Sequence, residues 1–288
     1  MSVRVFAPAK INLTLKVGRA RADGLHPLQS VVAFAPGAEW IEAAPADQLT
    51  LTIIGPFADD LEADETNLVL RAARALADAA GIATPAAALT LFKDYPVASG
   101  MGGGSSDAAA TLKALNALWG LDWDDRTLAA VARGLGSDAP VCVGARAAYM
   151  TGAGELYAPF DLPALHAVLV NPRRPLPTPA VYRQFDAIGL GGAFDAEAAA
   201  PVWRDAAAAL EGMRMLGNDL AAPAAALMPE LSAIGAMLRS DPRVLYANMS
   251  GSGATMFALC GTREQAFAVH SAIAASNSAY WVRVAALT

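Results

Sequence analysis

This chain of 288 residues is short of the side chains that usually cluster into metal or redox sites. It has two cysteines, three histidines and, among 21 basic residues, only four lysines: Lys10, Lys16, Lys93 and Lys113. Cys142 and Cys260 stand far apart, in no Cys-x-x-Cys or Cys/His spacing, which excludes a disulfide scaffold and a structural zinc site. Both read as small buried hydrophobes. His26, His166 and His270 are scattered, and an isolated histidine reads as packing or solvated surface before it reads as a ligand. The net charge of −6 leaves no broad basic face, so neither nucleic acid nor a membrane surface is expected as partner. No apolar run reads as a membrane span, because much of the 55% hydrophobic content is alanine in helical stretches. The first residues alternate in polarity and lack the basic end, apolar block and cleavage site of a secretory leader, so the cytoplasm is the expected location. There is no Gly-Lys pair and hence no Walker A lysine, and the HRD and DFG segments of protein kinases are missing.

What is there begins with a period of two. In VRVFAPAKINLTLKV the residues Val3, Val5, Ile11, Leu13, Leu15 and Val17 fall on odd positions, which predicts a strand with Lys10, Asn12, Thr14 and Lys16 on its other face. Leu49, Leu51 and Ile53 predict a second strand, and ALTLFKDYP a third. Helical spacing predicts helices over 66–80, stopped by Gly81, over 105–119, and over 124–135, closed by Gly136. VCVGARAAYMTG, HAVLVNP, LYANMS and ATMFALCG read as further strands, and APAAALMPELSAIGAML and TREQAFAVHSAIAAS as helices. This mixture predicts an α+β protein and not a doubly wound parallel sheet. Prolines at 159–163 and in NPRRPLPTP mark the boundary between two halves, 1–160 and 161–288.

The stretch PVASGMGGGSSDAAATL carries four glycines, Gly100, Gly102, Gly103 and Gly104, and empties into a helix that opens with Ser105 and Ser106. Unpaired backbone N–H groups, the positive end of a helix dipole and an absence of side chains make such a loop a cradle for phosphate. A flexible turn ahead of a capped helix is the plainer alternative. Counted from Gly100, the GxGxxG register places Ser105 where a dinucleotide fingerprint needs its third glycine, so the loop is of another kind.

Together the segments APAKINLTLKV, PxxxGMGGGSSDAAA and NMSGSGATMFAL resemble the three motifs of the GHMP kinases, small-molecule kinases named for galactose, homoserine, mevalonate and phosphomevalonate. RADGLHPLQS and PTPAVY resemble one branch of that family, whose acceptor is a cytidine-diphosphate-linked branched sugar alcohol. The resemblance covers essentially the whole chain. It implies a two-domain GHMP kinase fold, with an N-terminal ribosomal-S5-domain-2-like and a C-terminal ferredoxin-like domain, and ATP-dependent phosphorylation of the acceptor's 2-hydroxyl.

The resemblance also implies roles. Lys10 falls on the family's catalytic lysine and Asp138, in GLGSDAPVCV, on the aspartate beside the acceptor hydroxyl. Alone they would read as a solvated strand lysine and a turn aspartate. Asn12 is implied to contact the substrate, His26 to hydrogen-bond the cytosine, Tyr182 to stack on it, and Thr178 and Pro179 to shape the same pocket. Leu25 stands where the branch often has tyrosine, which removes one aromatic contact. Pro96, Gly100, Gly102, Gly103, Gly104, Ser105 and Ser106 form the implied phosphate loop, supported by the segment from Asn248 to Gly253. Asn67 and Lys93 are implied on the adenine side, although Asn67 reads equally as a helix cap. Mg²⁺ is expected with ATP; no acidic pair identifies its ligands, and phosphates, water and Ser106 would hold it. Asp107 reads as a helix-dipole partner or as a metal ligand. Two competitors stand beside this reading. A homoserine- or mevalonate-type kinase has no use for GLHP and PTPAVY, and a non-catalytic nucleotide-binding module has no need of Lys10 and Asp138 together.

Overall fold

Pro8 lacks the N–H that a sheet ladder needs, and it interrupts the alternating N-terminal stretch. The computed structural model, which describes residues 1–192, 194–195 and 198–288, accordingly has three short strands where the period of two predicts one. These are β1 (Val3–Phe6), β2 (Ala9–Asn12) and β3 (Lys16–Val17). The plainer reading of Lys10 as a solvated strand lysine is also corrected: Lys10 is buried, as are Asn12 and Thr14.

The chain packs as two compact units. The first comprises residues 1–10, 36–97 and 102–145, and the second residues 11–35, 98–101 and 146–288. The chain therefore passes from one unit to the other within β2 and twice within the glycine loop.

In the first unit β5 (Trp40–Ala44), β6 (Leu49–Ile54) and β7 (Ala87–Phe92) join β1 in a sheet of order β1-β5-β7-β6, with β6 and β7 parallel and the other pairs antiparallel. Helix α1 (Leu68–Ala80) supplies the connection that a parallel pair requires. The Asn67 side chain caps its start by accepting from Val69 N–H at 3.0 Å, and Gly81 ends it in the left-handed conformation at φ +70°. Helix α2 (Gly103–Leu118) packs on β1 and β5, its buried alanines Ala108, Ala109, Ala110 and Ala114 permitting close approach. Helices α3 (Asp125–Ala132) and α4 (Ala139–Gly144) complete the unit. Of the strand predicted over VCVGARAAYMTG, Ala148–Thr151 is a strand, but VCVG is a helix: Asp138 and Pro140 begin a helical turn there, and a four-residue apolar run carries no period of its own.

The second unit contains two sheets. One has the order β2-β4-β8-β9, from β4 (Leu28–Ala35), β8 (Ala148–Thr151) and β9 (Leu156–Pro159), with β3 also paired to β4. The other has the antiparallel order β11-β12-β10-β13, from β10 (Leu165–Asn171), β11 (Val244–Met249), β12 (Met256–Cys260) and β13 (Trp281–Leu287). Helices α5 (Thr178–Ala187), α6 (Ala206–Leu216), α7 (Ala221–Leu227), α8 (Glu230–Ser240) and α9 (Arg263–Ser276) follow the chain. Val168, Val170, Phe185, Leu231, Ile234 and Val269 meet in its core. The single helix predicted over APAAALMPELSAIGAML is two, α7 and α8, because Pro229 cannot donate the hydrogen bond that would carry the helix through. No described helix is long and apolar enough to cross a membrane.

Two glycines allow a matched test of packing against backbone conformation. Gly100 has φ +74°, and a Cβ there would lie 2.3 Å from the Ser250 carbonyl oxygen and 2.7 Å from Gly253 N, both backbone atoms. Gly24 has φ +79° with nothing within 4 Å. Gly24→Ala should cost only the left-handed conformation, about 1 kcal/mol, whereas Gly100→Ala adds a backbone clash and should cost about 2–4 kcal/mol. Urea unfolding of both variants measures the difference, and equal losses would contradict the tight seat described for Gly100.

Candidate active site

Lys10 lies on β2 with its side chain 4% exposed, and its ammonium is 2.9 Å from Oδ2 of Asp138. Asp138 occupies the position that opens α4, yet it caps no backbone N–H; its carboxylate is 34% exposed. A buried cation thus faces a partly open carboxylate. Gly102 makes room for it. It stands at φ +61° before α2, and a Cβ there would come within 3.2 Å of Cβ and Cε of Lys10. Beyond Gly102 the first N–H groups of α2 have no helical acceptor. Ser106 turns its hydroxyl inward, donating to the Pro8 carbonyl at 2.6 Å. Cys142, on α4, is no nucleophile: burial above all, and then the Asp138 charge, pushes its thiol up to about 12.

A second ion cluster lies deeper in the same unit. Lys93, 3% exposed at the end of β7, donates to Glu39 Oε1 and to Asp107 Oδ2, each at 2.7 Å. Glu39 is fully buried, and its other oxygen accepts from the backbone N–H groups of Asp94 and Tyr95 at 2.9 and 2.8 Å. Burial opposes the charge of Lys93, but Asp107 and Glu39 outweigh it and hold the ammonium above its ordinary range. For Glu39, burial and the neighbouring Asp107 outweigh Lys93, so its carboxyl is raised well above the carboxylate range. Oδ1 of Asp107 is buried without a hydrogen-bond partner. That oxygen is closed to solvent and its carboxylate already neutralises Lys93, so Asp107 does not suit a hydrated Mg²⁺. Among the described residues no group of three or more His, Cys, Asp or Glu side chains could hold a metal ion.

The second unit carries the other predicted residues. Asn12 receives support on two sides: its backbone N–H donates to Ser250 Oγ at 3.0 Å and its side chain to Ser30 Oγ at 2.7 Å. The Ser250 hydroxyl donates in turn to the Gly100 carbonyl at 2.8 Å, and Thr255 N–H to the Ser99 carbonyl at 2.9 Å. The NMSGSG segment therefore fastens residues 98–101 of the glycine loop. His26 is buried, with Nδ1 donating to the Gly18 carbonyl at 2.9 Å and Nε2 3.4 Å from Oδ2 of Asp186. Asp23 shapes the preceding turn by accepting from Leu25 N–H at 3.0 Å, a bond that, together with Arg21, lowers its carboxyl. Leu25 itself is exposed. Tyr182 lies with its ring centroid 4.9 Å from that of His26, and Thr178 pairs its hydroxyl with Ser252 at 2.8 Å. Pro179 is exposed in the first turn of α5.

Comparison with known proteins gives the family. Residues 67–146 match the GHMP kinases N terminal domain and residues 196–279 the GHMP kinases C terminal domain. The 4-diphosphocytidyl-2-C-methyl-D-erythritol kinase of Bradyrhizobium sp. strain ORS 278 is 46% identical over 97% of this chain and 95% of its own. The chain belongs to the GHMP kinase family. It is a small-molecule kinase, and ATP is the substrate that membership implies. The enzyme of the same name from Parvibaculum lavamentivorans is 45% identical over 97% of this chain and 96% of its own. A solved structure of 4-(cytidine 5'-diphospho)-2C-methyl-D-erythritol kinase superposes with a TM-score of 0.79 at 32% identity, covering 99% of both chains. The homoserine kinase of Cytophaga hutchinsonii shares the two-domain fold at 18% identity, covering 99% of this chain and 94% of its own, with a TM-score of 0.68.

Within this GHMP kinase the structure brings Lys10 to Asp138, and His26 to Tyr182. It gives Asn67 the cap of α1 and gives Lys93 two buried carboxylates, so neither is simply an exposed adenine contact. Glu39 and Asp186 escape the sequence reading. Glu39 precedes a strand in no motif, and only the 3.6-residue spacing of Thr178, Tyr182 and Asp186 could have pointed to Asp186. Removing the cation is the sharpest test of the deeper cluster. Lys93→Met should destabilise the protein by about 3–5 kcal/mol near neutral pH, because two buried carboxyl groups lose the counter-charge that Lys93 supplies. A carboxyl raised by burial contributes stability that is present below the ordinary carboxylate range and is lost as pH rises through its raised value. The deficit of Lys93→Met should therefore shrink as pH falls from 8 to 5, as measured by denaturant unfolding. A pH-independent deficit would contradict the cluster.

Proposed function

We propose that this chain transfers the γ-phosphoryl group of ATP to the 2-hydroxyl of 4-diphosphocytidyl-2-C-methyl-D-erythritol, a step of the non-mevalonate route to isoprenoid precursors in the cytoplasm. The observation that carries the chemistry is the Lys10–Asp138 pair, a buried ammonium set 2.9 Å from a carboxylate that still meets solvent. In the proposed reaction the acceptor oxygen attacks the γ-phosphorus, ADP leaves, and the hydroxyl proton passes to Asp138. Lys10 pairs with Asp138 and offsets negative charge near the transferring group. Phosphoryl transfer through a loose transition state asks mainly for in-line placement and charge neutralisation, and it leaves proton removal late.

The loop of Pro96, Gly100, Gly102, Gly103, Gly104, Ser105 and Ser106 is assigned to the phosphates, with the opening N–H groups of α2 as donors. Mg²⁺ arrives as part of the nucleotide substrate, and no protein carboxylate is assigned to it. Asn67 and Lys93 are placed on the adenine side of the same loop. Asn12, His26, Thr178, Pro179 and Tyr182 are assigned to the cytidine-linked substrate. This choice of acceptor rests on the relatives of matching name at 45–46% identity and on the paired His26 and Tyr182. The segments 1–160 and 161–288 are proposed as the two family domains, since the matched stretches fall on either side of that boundary.

Asp138→Asn tests the reading directly. It should lower kcat by about 100-fold or more while leaving the dissociation constant of ATP within about threefold, because the carboxylate serves the hydroxyl and not the nucleotide. A coupled assay for ADP release and a nucleotide titration supply the two numbers. Near-wild-type turnover in the variant would remove Asp138 from the mechanism.

A further inference from the structure

One nitrogen of the His26 ring is already engaged. Its Nδ1 lies 2.9 Å from the Gly18 carbonyl, and a carbonyl only accepts, so Nδ1 carries a proton and Nε2 is the atom left for other contacts. What Nε2 meets is Asp186 Oδ2, at 3.4 Å. Asp186 lies in the last turn of α5, where a carboxylate opposes the negative end of the helix dipole. No lysine or arginine compensates it; among the described residues its side chain has His26 as its only partner, and it is 49% exposed. A charge kept at the unfavourable end of a helix, half open to solvent and with a single weak partner, has little structural reason to be there. Thr178, Tyr182 and Asp186 follow one another at four-residue intervals along one face of α5, and the Tyr182 ring lies against His26.

We infer that Asp186 is a specificity-determining residue that reads the exocyclic amine of the cytosine. The inference deepens the proposed function and rests on its choice of a cytidine-linked acceptor. An ionised carboxylate can only accept hydrogen bonds. Cytosine offers it an amine, a pairing that aspartate and glutamate also make with cytosine in nucleic acids. Uracil presents a carbonyl oxygen at the same position, so two lone-pair-bearing groups would face each other. Tyr182 contributes contact with the face of the base and is indifferent to which edge it carries. Asp186 thereby supplies a discrimination that the aromatic contact lacks.

The test uses cytidine diphosphate and uridine diphosphate as probes, titrated calorimetrically into the wild-type protein and into Asp186→Asn and Asp186→Ala. Matching thermal unfolding midpoints confirm that the variants are folded. The wild type should favour the cytidine probe by about tenfold or more. In Asp186→Asn the amide N–H₂ can donate to the uracil oxygen, so uridine diphosphate should gain affinity and the preference should fall to within about threefold. Asp186→Ala should weaken the cytidine probe without that gain, which separates recognition from a merely structural role. A folded Asp186→Asn that keeps the wild-type ratio overturns the inference and leaves the cytidine reading standing. A wild type that binds the two probes equally, or neither, overturns the cytidine reading and this inference with it.

Discussion

One buried ammonium governs the geometry of the first unit. Lys93 sits where β7 ends, and it can remain charged there only because Glu39 and Asp107 each lie 2.7 Å away. The desolvation of three ionisable groups is costly enough that any displacement of one leaves the others poorly compensated. The start of β5, the end of β7 and the second turn of α2 are thus held in register by charge as well as by packing. Glu39 extends the constraint to the backbone by accepting from Asp94 and Tyr95. The helix that follows the glycine loop is anchored to this cluster through Asp107.

The second unit reaches a comparable rigidity with neutral groups. Ser250 stands between the Asn12 N–H, from which it accepts, and the Gly100 carbonyl, to which it donates. Gly100 leaves no room for a side chain beside Ser250 and Gly253, so this portion of the loop lies against the NMSGSG segment backbone to backbone. Around His26 the organisation is looser. One ring nitrogen is fixed by Gly18, the ring lies against Tyr182 and Phe185, and the other nitrogen meets a half-exposed carboxylate.

Much of the local structure was legible in the residues. Gly81 marked the end of α1, and Asn67, assigned by resemblance to the adenine side, has the capping role that was its plainer reading. The misreadings share a cause. The odd-numbered apolar residues of VRVFAPAKINLTLKV keep their period across Pro8, yet the missing N–H ends the ladder there. VCVG has a strand's composition, but four residues are too few to show a period, and the helical turn begun at Asp138 carries them along. In APAAALMPELSAIGAML the helical spacing continues through Pro229 although the backbone cannot.

Short-range chemistry accounts for what the sequence determined by itself: helix ends, the glycine loop, the family motifs and the candidate residues within them all depend on neighbours a few positions away. Tertiary structure decided the partnerships. That Lys10 meets Asp138, that Lys93 is enclosed by Glu39 and Asp107, and that Asp186 comes to His26 follows from strand order and helix packing. Charge interactions act through space and fall off with distance and screening, so a residue's electrostatic role is set by the groups that folding brings within a few ångströms. No local pattern records that distance.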